Sequence, residues 1–499
     1  MQKEVTKAPA KEAPRLLETG VPGLDTVLGG GLTPDRVYLL EGTPGAGKTT
    51  LAMQFLLAGV RAGEKTLYVT LSESEEELRS IAHAHGWDHS GINTLEVIAA
   101  DDLIDGASQY TVFHPSDVEL AAAFRKILDE VERLGATRVI VDSLSELRLL
   151  ADGPLQFRRQ LLALKRFFSG RHCTVLILDD QLFDMQIQSI AHGVIRLEQL
   201  PANYGAHRRR MQVQKYRGMR FLSGFHDFNI VQGGLVVFPR LVAAETRGRR
   251  PHGALESGVA ELDRLLGGGL ERGTSTLIIG AAGSGKSTLS AQFSIAACER
   301  GERADIFAFD ESLATLAARA EGLGMQFDKY LDNGQLRVHQ IDPAELSPGE
   351  FIHRVVRSAN EGARVITIDS LNGYLHAMPE EKFLLLQLHE LLTWLAQKGV
   401  ATLLVSVQQG LIGHMTSPID TSYLADTVML LRYFENAGEV RQAISIMKKR
   451  GGAHERTVSE FSLDAGGIRV GEPLRQFRGV LTGVPVYDGQ SASLMRSRP

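Results

Sequence analysis

Two stretches of this sequence have the residue types and spacing that hold phosphate. Gly42, Thr43, Pro44, Gly45, Ala46, Gly47, Lys48, Thr49 and Thr50 read GTPGAGKTT, and Gly280, Ala281, Ala282, Gly283, Ser284, Gly285, Lys286, Ser287 and Thr288 read GAAGSGKST. Glycines at these places let successive backbone N–H groups turn inward around phosphate oxygens. The loop then opens a helix, whose positive end favours an anion. Lys48 and Lys286 can reach the β- and γ-phosphates, and Thr49 and Ser287 can ligate Mg²⁺. Both loops stand between an apolar strand-like run and a helical stretch, the context this motif requires. The expected ligands are ATP and Mg²⁺.

Three further pairs recur with the loops. VIVDS ends on Asp142 and ITIDS on Asp369. An aspartate at the carboxyl end of a buried parallel strand lies where ligands bind in open α/β sheets, and can hold the magnesium through water. The competing reading is a strand end facing solvent. LSES supplies Glu73, and FDES supplies Asp310 and Glu311. At the end of the strand beside the loop-bearing strand, these acids can face the γ-phosphate and polarise a water or hydroxyl. Alternatively they serve a helix start, with Ser72, Ser74 and Ser312 as caps. KYRG contains Lys215 and Arg217, and KKRG contains Lys448 and Arg450. Alternate residues on a strand share a face, so each pair can project together and reach a neighbouring subunit's γ-phosphate. A solvated basic edge strand is the bland alternative. The recurrence of each feature in both halves favours chemistry over coincidence.

The repeat sets the organisation. TGVPGLDTVLGGGL starts at residue 19 and SGVAELDRLLGGGL at 257; the loops start at 42 and 280, so both features are displaced by 238 residues. A chance glycine-rich turn would not carry its upstream segment with it. Short Val/Ile/Leu runs alternate with amphipathic stretches such as DVELAAAFRKILDEVERLG and KFLLLQLHELLTWLAQKG. That pattern predicts α/β domains with mostly parallel sheets covered by helices, each ending in β-rich sequence. The expected division is a disordered leader (1–15), a first domain (16–245), a polar linker (246–256), a second domain (257–485) and a disordered tail (486–499).

The 499 residues carry a formal net charge of −5 and 23% charged side chains, which gives no global argument for nucleic acid or membrane binding. The two cysteines, one in each half, do not make a disulfide framework and fit a reducing cytosol. No apolar run is long enough to span a bilayer.

With these motifs in this order, the sequence resembles the KaiC family of double-domain RecA-like ATPases over residues 15 to 485. The resemblance rests on the doubled phosphate loops and GGGL lead-ins, IDS, the strand-end acids, K-x-R-G and SYLADTVMLLRYFE. It implies two tandem RecA-like P-loop domains, a hexamer of two stacked rings with ATP between subunits, and slow hydrolysis in the first domain. It also implies autophosphorylation of Ser/Thr residues in the second. The family's paired catalytic acids fall on Ser72–Glu73 and Asp310–Glu311, so the first pair has lost one member. The family's phosphosites fall on Ser422 and Tyr423, which implies phosphorylation on Ser422 alone, with Ser417 and Thr421 as weaker candidates. A turn or cap hydroxyl is the alternative for Ser422. QFRGVLTGVP resembles the family's regulatory C-terminal loop. A KaiB-like protein or a signalling kinase is the kind of partner implied.

Three functions follow. One is a cytoplasmic ATPase and autokinase acting as a circadian-type timer or signalling switch. In that reading the first site is biased to holding ATP, and the second is the place of phosphoryl transfer. Another is a RecA- or DnaB-like DNA-dependent ATPase, for which HRRRMQVQKYRGMR (207–220) is a candidate basic stripe. Aromatics at 6% and the acidic net charge argue against it. The third is a scaffold that nucleotide merely holds together.

Overall fold

The computed structural model describes residues 16–97, 115–151, 153–180, 185–201, 205–245, 253–376, 383–408, 422–436, 438–482 and 485–487. The chain forms two compact units, Met1–Arg240 and Leu241–Pro499.

In the first unit, apolar runs too short for buried helices become strands, and the longer amphipathic segments become helices over them. Nine strands form one sheet: β1 (Val37–Gly42), β2 (Thr66–Thr70), β3 (Ile92–Glu96), β4 (Arg138–Asp142), β5 (Thr174–Asp179), β6 (Gly193–Leu200), β7 (Arg208–Tyr216), β8 (Phe225–Val231) and β9 (Gly234–Phe238). Their order is β3-β2-β4-β5-β1-β6-β7-β8-β9. β3 through β6 pair in parallel, and β6 through β9 antiparallel. β1, β2, β4 and β5 are buried along their whole length, as a sheet covered on both faces requires. Alternate residues feed two cores. Tyr38, Leu40, Tyr68, Ile140 and Leu176 pack with Leu51, Phe55 and Leu56 of the helix Lys48–Arg61. Leu39, Val141 and Ile177 pack on the other face with Phe124, Leu161 and Phe168.

The second unit repeats this sheet. Ser275–Gly280 takes the place of β1, and Arg303–Ala308, Ala363–Asp369 and Ala401–Val407 take those of β2, β4 and β5. Phe293 of the helix Lys286–Glu299 sits in a core with Ile278, Ile306, Val365 and Leu403. The sequence pattern misses the edge strands β3 and Leu336–Gln340. They lie at the sheet margin, and their mixed exposure hides the strand period.

The antiparallel β-rich ends continue the main sheet. They also brace the phosphate loops: Gly47 (φ 100°) and Gly285 (φ 91°) open the helices, and a Cβ there would lie 2.7 Å from Ile230 and from Leu463. The strands that precede Glu73 and Asp310–Glu311 do not lie beside the loop-bearing strands as expected: β4 and β5 stand between β2 and β1, and Ala363–Asp369 and Ala401–Val407 stand between their counterparts in the second sheet. Segment ends also shift. Residues 1–15, 246–252 and 488–499 lie outside the described residues, but Ala254–Leu255 already pairs with Leu270–Glu271, and Leu255 is fully buried. Val486–Tyr487 pairs with Phe477–Arg478 rather than starting a tail.

Cys173 and Cys298 are buried free thiols, pushed up to about 12 and about 11 by burial. No helix among the described residues is long and apolar enough to cross a membrane.

Phe293→Ala should cost ~3–5 kcal/mol by leaving a cavity under the second sheet. Denaturant unfolding followed by fluorescence should show it, because Trp394 is buried in the second unit and the other tryptophan, Trp87, lies in the first.

Candidate functional site

The first loop leaves β1 at Gly42 and enters its helix at Lys48. Gly45 and Gly47 take positive φ, 79° and 100°, which turn the loop back over the helix start. Thr43, Pro44 and Gly45 are exposed, whereas Ala46, Lys48 and Thr50 are buried. Lys48 folds back along the loop, donating to Gly42 O at 2.7 Å and Thr43 O at 3.2 Å. Its Nζ also lies 2.6 Å from Asp180 Oδ1, just past β5.

Asp142 closes β4 beside the helix start. Thr49 Oγ1 lies 3.5 Å from its Oδ2, and the Tyr68 hydroxyl donates to the same oxygen at 2.5 Å. Burial raises the Asp142 pKa, opposed by the Tyr68 bond, Lys48 and Thr49. The peptide bond after Asp142 is cis, as is that after Asp369. Its contacts with Thr49 and Tyr68 turn Asp142 to the loop and away from solvent, against the hydroxyl named as its magnesium partner.

Glu73 reaches this place although β2 is remote from β1. The helix Lys48–Arg61 lies across β4 and β2, so the ends of all three elements meet. Thr70 Oγ1 fixes the turn, donating to Glu73 O at 2.6 Å and accepting from Glu73 N at 3.0 Å. Helix capping does not use Glu73. Ser74 is the N-cap of Glu75–Ala84 and forms a capping box with Glu77. Burial first, then the charges of Asp142 and Glu77, push the Glu73 carboxyl up to about 7. Its Oε2 is buried with no hydrogen-bond partner among the described residues. A carboxyl titrating near neutrality with an unbonded oxygen has the makings of a general base. Ser72 is exposed beside it.

The second site has the same parts with different partners. Lys286, Ser287, Asp310, Glu311, Asp369 and Ser370 line one pocket. Gly280 ends the strand; Ala281 and Ser284 are buried, Ala282 and Gly283 exposed, and Gly285 caps the helix that Lys286, Ser287 and Thr288 begin. Lys286 donates to Ala281 O at 2.6 Å, and burial lowers its pKa to about 8. Burial raises the Asp369 carboxyl, opposed by a hydrogen bond from Ser287. Ser370 Oγ donates a short bond to Asp310. Arg319 holds Glu311 at 2.6 Å, an ion pair without a counterpart at Glu73. Ser312 caps the following helix, so Glu311, like Glu73, lies outside it. The Tyr433 hydroxyl lies 3.5 Å from Ala282 O.

Each site thus offers an inward-turned loop on a helix, a lysine laid along it, and a hydroxyl beside a strand-end carboxylate. These parts fit a nucleotide phosphate chain and a hard divalent cation. Among the described residues no cluster of three or more His, Cys, Asp or Glu side chains could hold a metal ion by itself.

The K-x-R-G cations are engaged within their own chain. Lys215 donates to Gln188 O at 2.6 Å, and Arg217 to Ser189 O at 2.8 Å. Lys448 donates to Ser422 O (3.0 Å) and Ala425 O (2.8 Å); Arg450 donates to Tyr423 O (3.2 Å) and Asp426 Oδ1 (3.3 Å). In both domains the pair clasps the segment that leads into the strand beside the loop-bearing one. Neither basic pair is a simple solvated edge. Ser417 and Thr421 lie outside the described residues. In the basic stripe 207–220, Arg210 is paired with Glu198 at 2.7 Å and stacked on Phe225.

Sequence reading missed Asp180, Tyr68 and Arg319. LILDD shows two adjacent acids at a strand end, a signal that could have singled out Asp180. Tyr68 and Arg319 carry no motif and are found only through their contacts.

A family model described as "ATPase: KaiC" matches residues 17–242 and again 255–475. The chain is 30% identical to the circadian clock protein KaiC3 of Synechocystis sp., over 95% of each chain. It is 27% identical to the circadian clock oscillator protein KaiC of Picosynechococcus sp., over 94% of this chain and 92% of that one. Against the protein of that name from Synechococcus elongatus the identity is also 27%, over 94% and 91%.

If Glu73 is the base, first-site hydrolysis needs its carboxylate. Turnover should fall as pH drops below about 7, where Glu73 takes up a proton, and recover above it. Glu73→Gln should lower first-site turnover roughly 10²-fold or more and remove that pH step. A steady-state ATPase profile from pH 5.5 to 8.5 measures both.

Proposed function

This chain belongs to the KaiC family of ATPases, and from that premise we propose that it hydrolyses ATP and phosphorylates itself on Ser422 through its second domain. One observation carries the reading: Asp310 and Glu311 share a pocket with Lys286, Ser287 and Asp369. An acid pair beside the phosphate-binding groups can take a proton from an attacking oxygen.

Lys286 and the loop amides bind the phosphates. Ser287 and Asp369 are the groups that would hold Mg²⁺, which when bound neutralises phosphate charge. Asp310, fixed by Ser370, and Glu311, fixed by Arg319, stand ready for the proton. In the first domain Glu73 can do the same for water, with Thr49 and Asp142 as the metal-holding pair. The first site therefore reads as a hydrolase site, not only a holder of ATP.

Transfer to Ser422 forms an Oγ–phosphorus bond and breaks the bond to ADP, and the hydroxyl proton passes to the acid pair. Lys448 and Arg450 are bonded to residues 422–426, so the acceptor segment and the cations form one unit. We infer that this unit meets the ATP of a neighbouring subunit in a hexamer, with Lys215 and Arg217 as the counterpart in the first domain. Two relatives are named as circadian clock oscillator proteins, which supports a timer or signalling-switch role in the cytoplasm. A KaiB-like protein or signalling kinase would be the partner, and neither nucleic acid nor a membrane the target. The engagement of Arg210 by Glu198 and Phe225 disfavours the DNA-dependent ATPase.

Incubation with γ-labelled ATP and Mg²⁺ should place phosphate on the peptide containing Ser422. Ser422→Ala should abolish that label, and Glu311→Gln should slow its appearance roughly 10²-fold or more. A wild type that takes up no phosphate would leave a plain ATPase or a nucleotide-held scaffold. Single-stranded DNA at physiological salt should leave ATPase turnover unchanged.

A further inference from the structure

We propose that Asp180 is a built-in competitor for Lys48, so that ATP enters the first site by displacing a carboxylate, an exchange the second site does not impose. The inference rests on ATP binding at both phosphate loops.

An ammonium group has three donors, and Lys48 Nζ has three oxygens around it: Gly42 O at 2.7 Å, Thr43 O at 3.2 Å and Asp180 Oδ1 at 2.6 Å. A phosphate oxygen that binds Nζ must take one of these places. Two belong to the loop backbone. Only Asp180 belongs to a side chain able to swing away, and that side chain is 38% exposed against 8% for Lys48.

Asp180 is placed there by a strand end that is pinned. Its neighbour Asp179 is fully buried and accepts from Arg148 Nη2 at 2.9 Å and Ser145 Oγ at 3.1 Å. In register beside Asp179 stands Glu41, also fully buried, which accepts from Gln188 at 2.7 Å and Arg196 at 3.3 Å. This charged network fixes the backbone from which Asp180 projects, leaving its side chain as the part that moves. Once displaced, the carboxylate still faces a polyphosphate of its own sign, which further opposes occupancy.

In the second domain an apolar residue takes the place of Asp180. The pair Glu41–Asp179 in the first sheet corresponds to Ile279–Ser406 in the second, so Val407 stands where Asp180 does. Val407 lines the pocket that contains Lys286. Among the described residues, Lys286 has no carboxylate at ion-pair distance. The strand end is held by neutral bonds instead, with Asn372 Oδ1 accepting from Val407 N at 2.7 Å and Ser406 Oγ at 3.2 Å. Among the described residues the repeat thus carries one phosphate loop with a resident anion and one with a valine in its place.

The test uses the full-length chain and an α-labelled azido-ATP with Mg²⁺, with labelled peptides assigned to one domain or the other. Asp180→Val should tighten half-saturation of the first domain roughly three- to tenfold and leave the second unchanged. Val407→Asp should weaken the second by a similar factor and leave the first unchanged. Asp180→Asn, which keeps the shape and removes the charge, should tighten the first domain and decides the matter if Asp180→Val does not fold. Saturable wild-type labelling with unchanged or weaker first-domain affinity in the Asp180 variants would overturn the competitor and leave ATP binding standing. Wild-type protein that shows no saturable label in the first domain would overturn both.

Discussion

A carboxylate enclosed at the end of an apolar strand must be bonded on every side or take up a proton, and Asp142 and Asp369 impose that demand on each domain. Asp142 meets it with the Tyr68 hydroxyl, Thr49 and the field of Lys48. Asp369 meets it with a hydrogen bond from Ser287 and the fields of Arg319 and Lys286. Those partners come from the phosphate loop, its helix and the strand or helix beyond. Holding the carboxylate therefore fixes the helix start against the sheet edge, and the same contacts that make burial tolerable bring the loop hydroxyl and lysine to that edge.

On this shared frame the two sites diverge through single partners. Among the described residues no cation is bonded to Glu73, and burial moves it to where it titrates near neutrality. Glu311 has Arg319, and beside it Asp310 stands where the first domain has Ser72. Behind the first loop lies a network of buried charge; behind the second, Ile279, Ser406 and Asn372. A repeat that conserves backbone geometry can thus hold two different electrostatic environments, because a pKa depends on the few groups within contact and not on the fold.

Much of the site was legible because its chemistry is written locally. GxxxxGK[ST] encodes a loop, a helix start and a lysine within eight residues, and both copies form as the spacing predicts. The strand-end acids were legible as positions, but not as partners. Their route to the phosphate loop runs over the helix Lys48–Arg61 lying across the sheet, since β4 and β5 separate β2 from β1. K-x-R-G was readable as paired cations. That Lys448 and Arg450 clasp the Ser422 segment could not be read, because the partners are backbone carbonyls, which carry no residue identity.

The sequence by itself determined the doubled α/β architecture and the two glycine-rich loops that open helices. Each of these depends on period and spacing within one stretch of chain. The tertiary structure alone decided strand order, the placing of the β-rich ends on the main sheet, and the pairing of Lys48 with Asp180 across 132 positions of chain. Those outcomes follow from which strands lie side by side, and hydrophobic patterning marks a strand as buried without saying who its neighbour is.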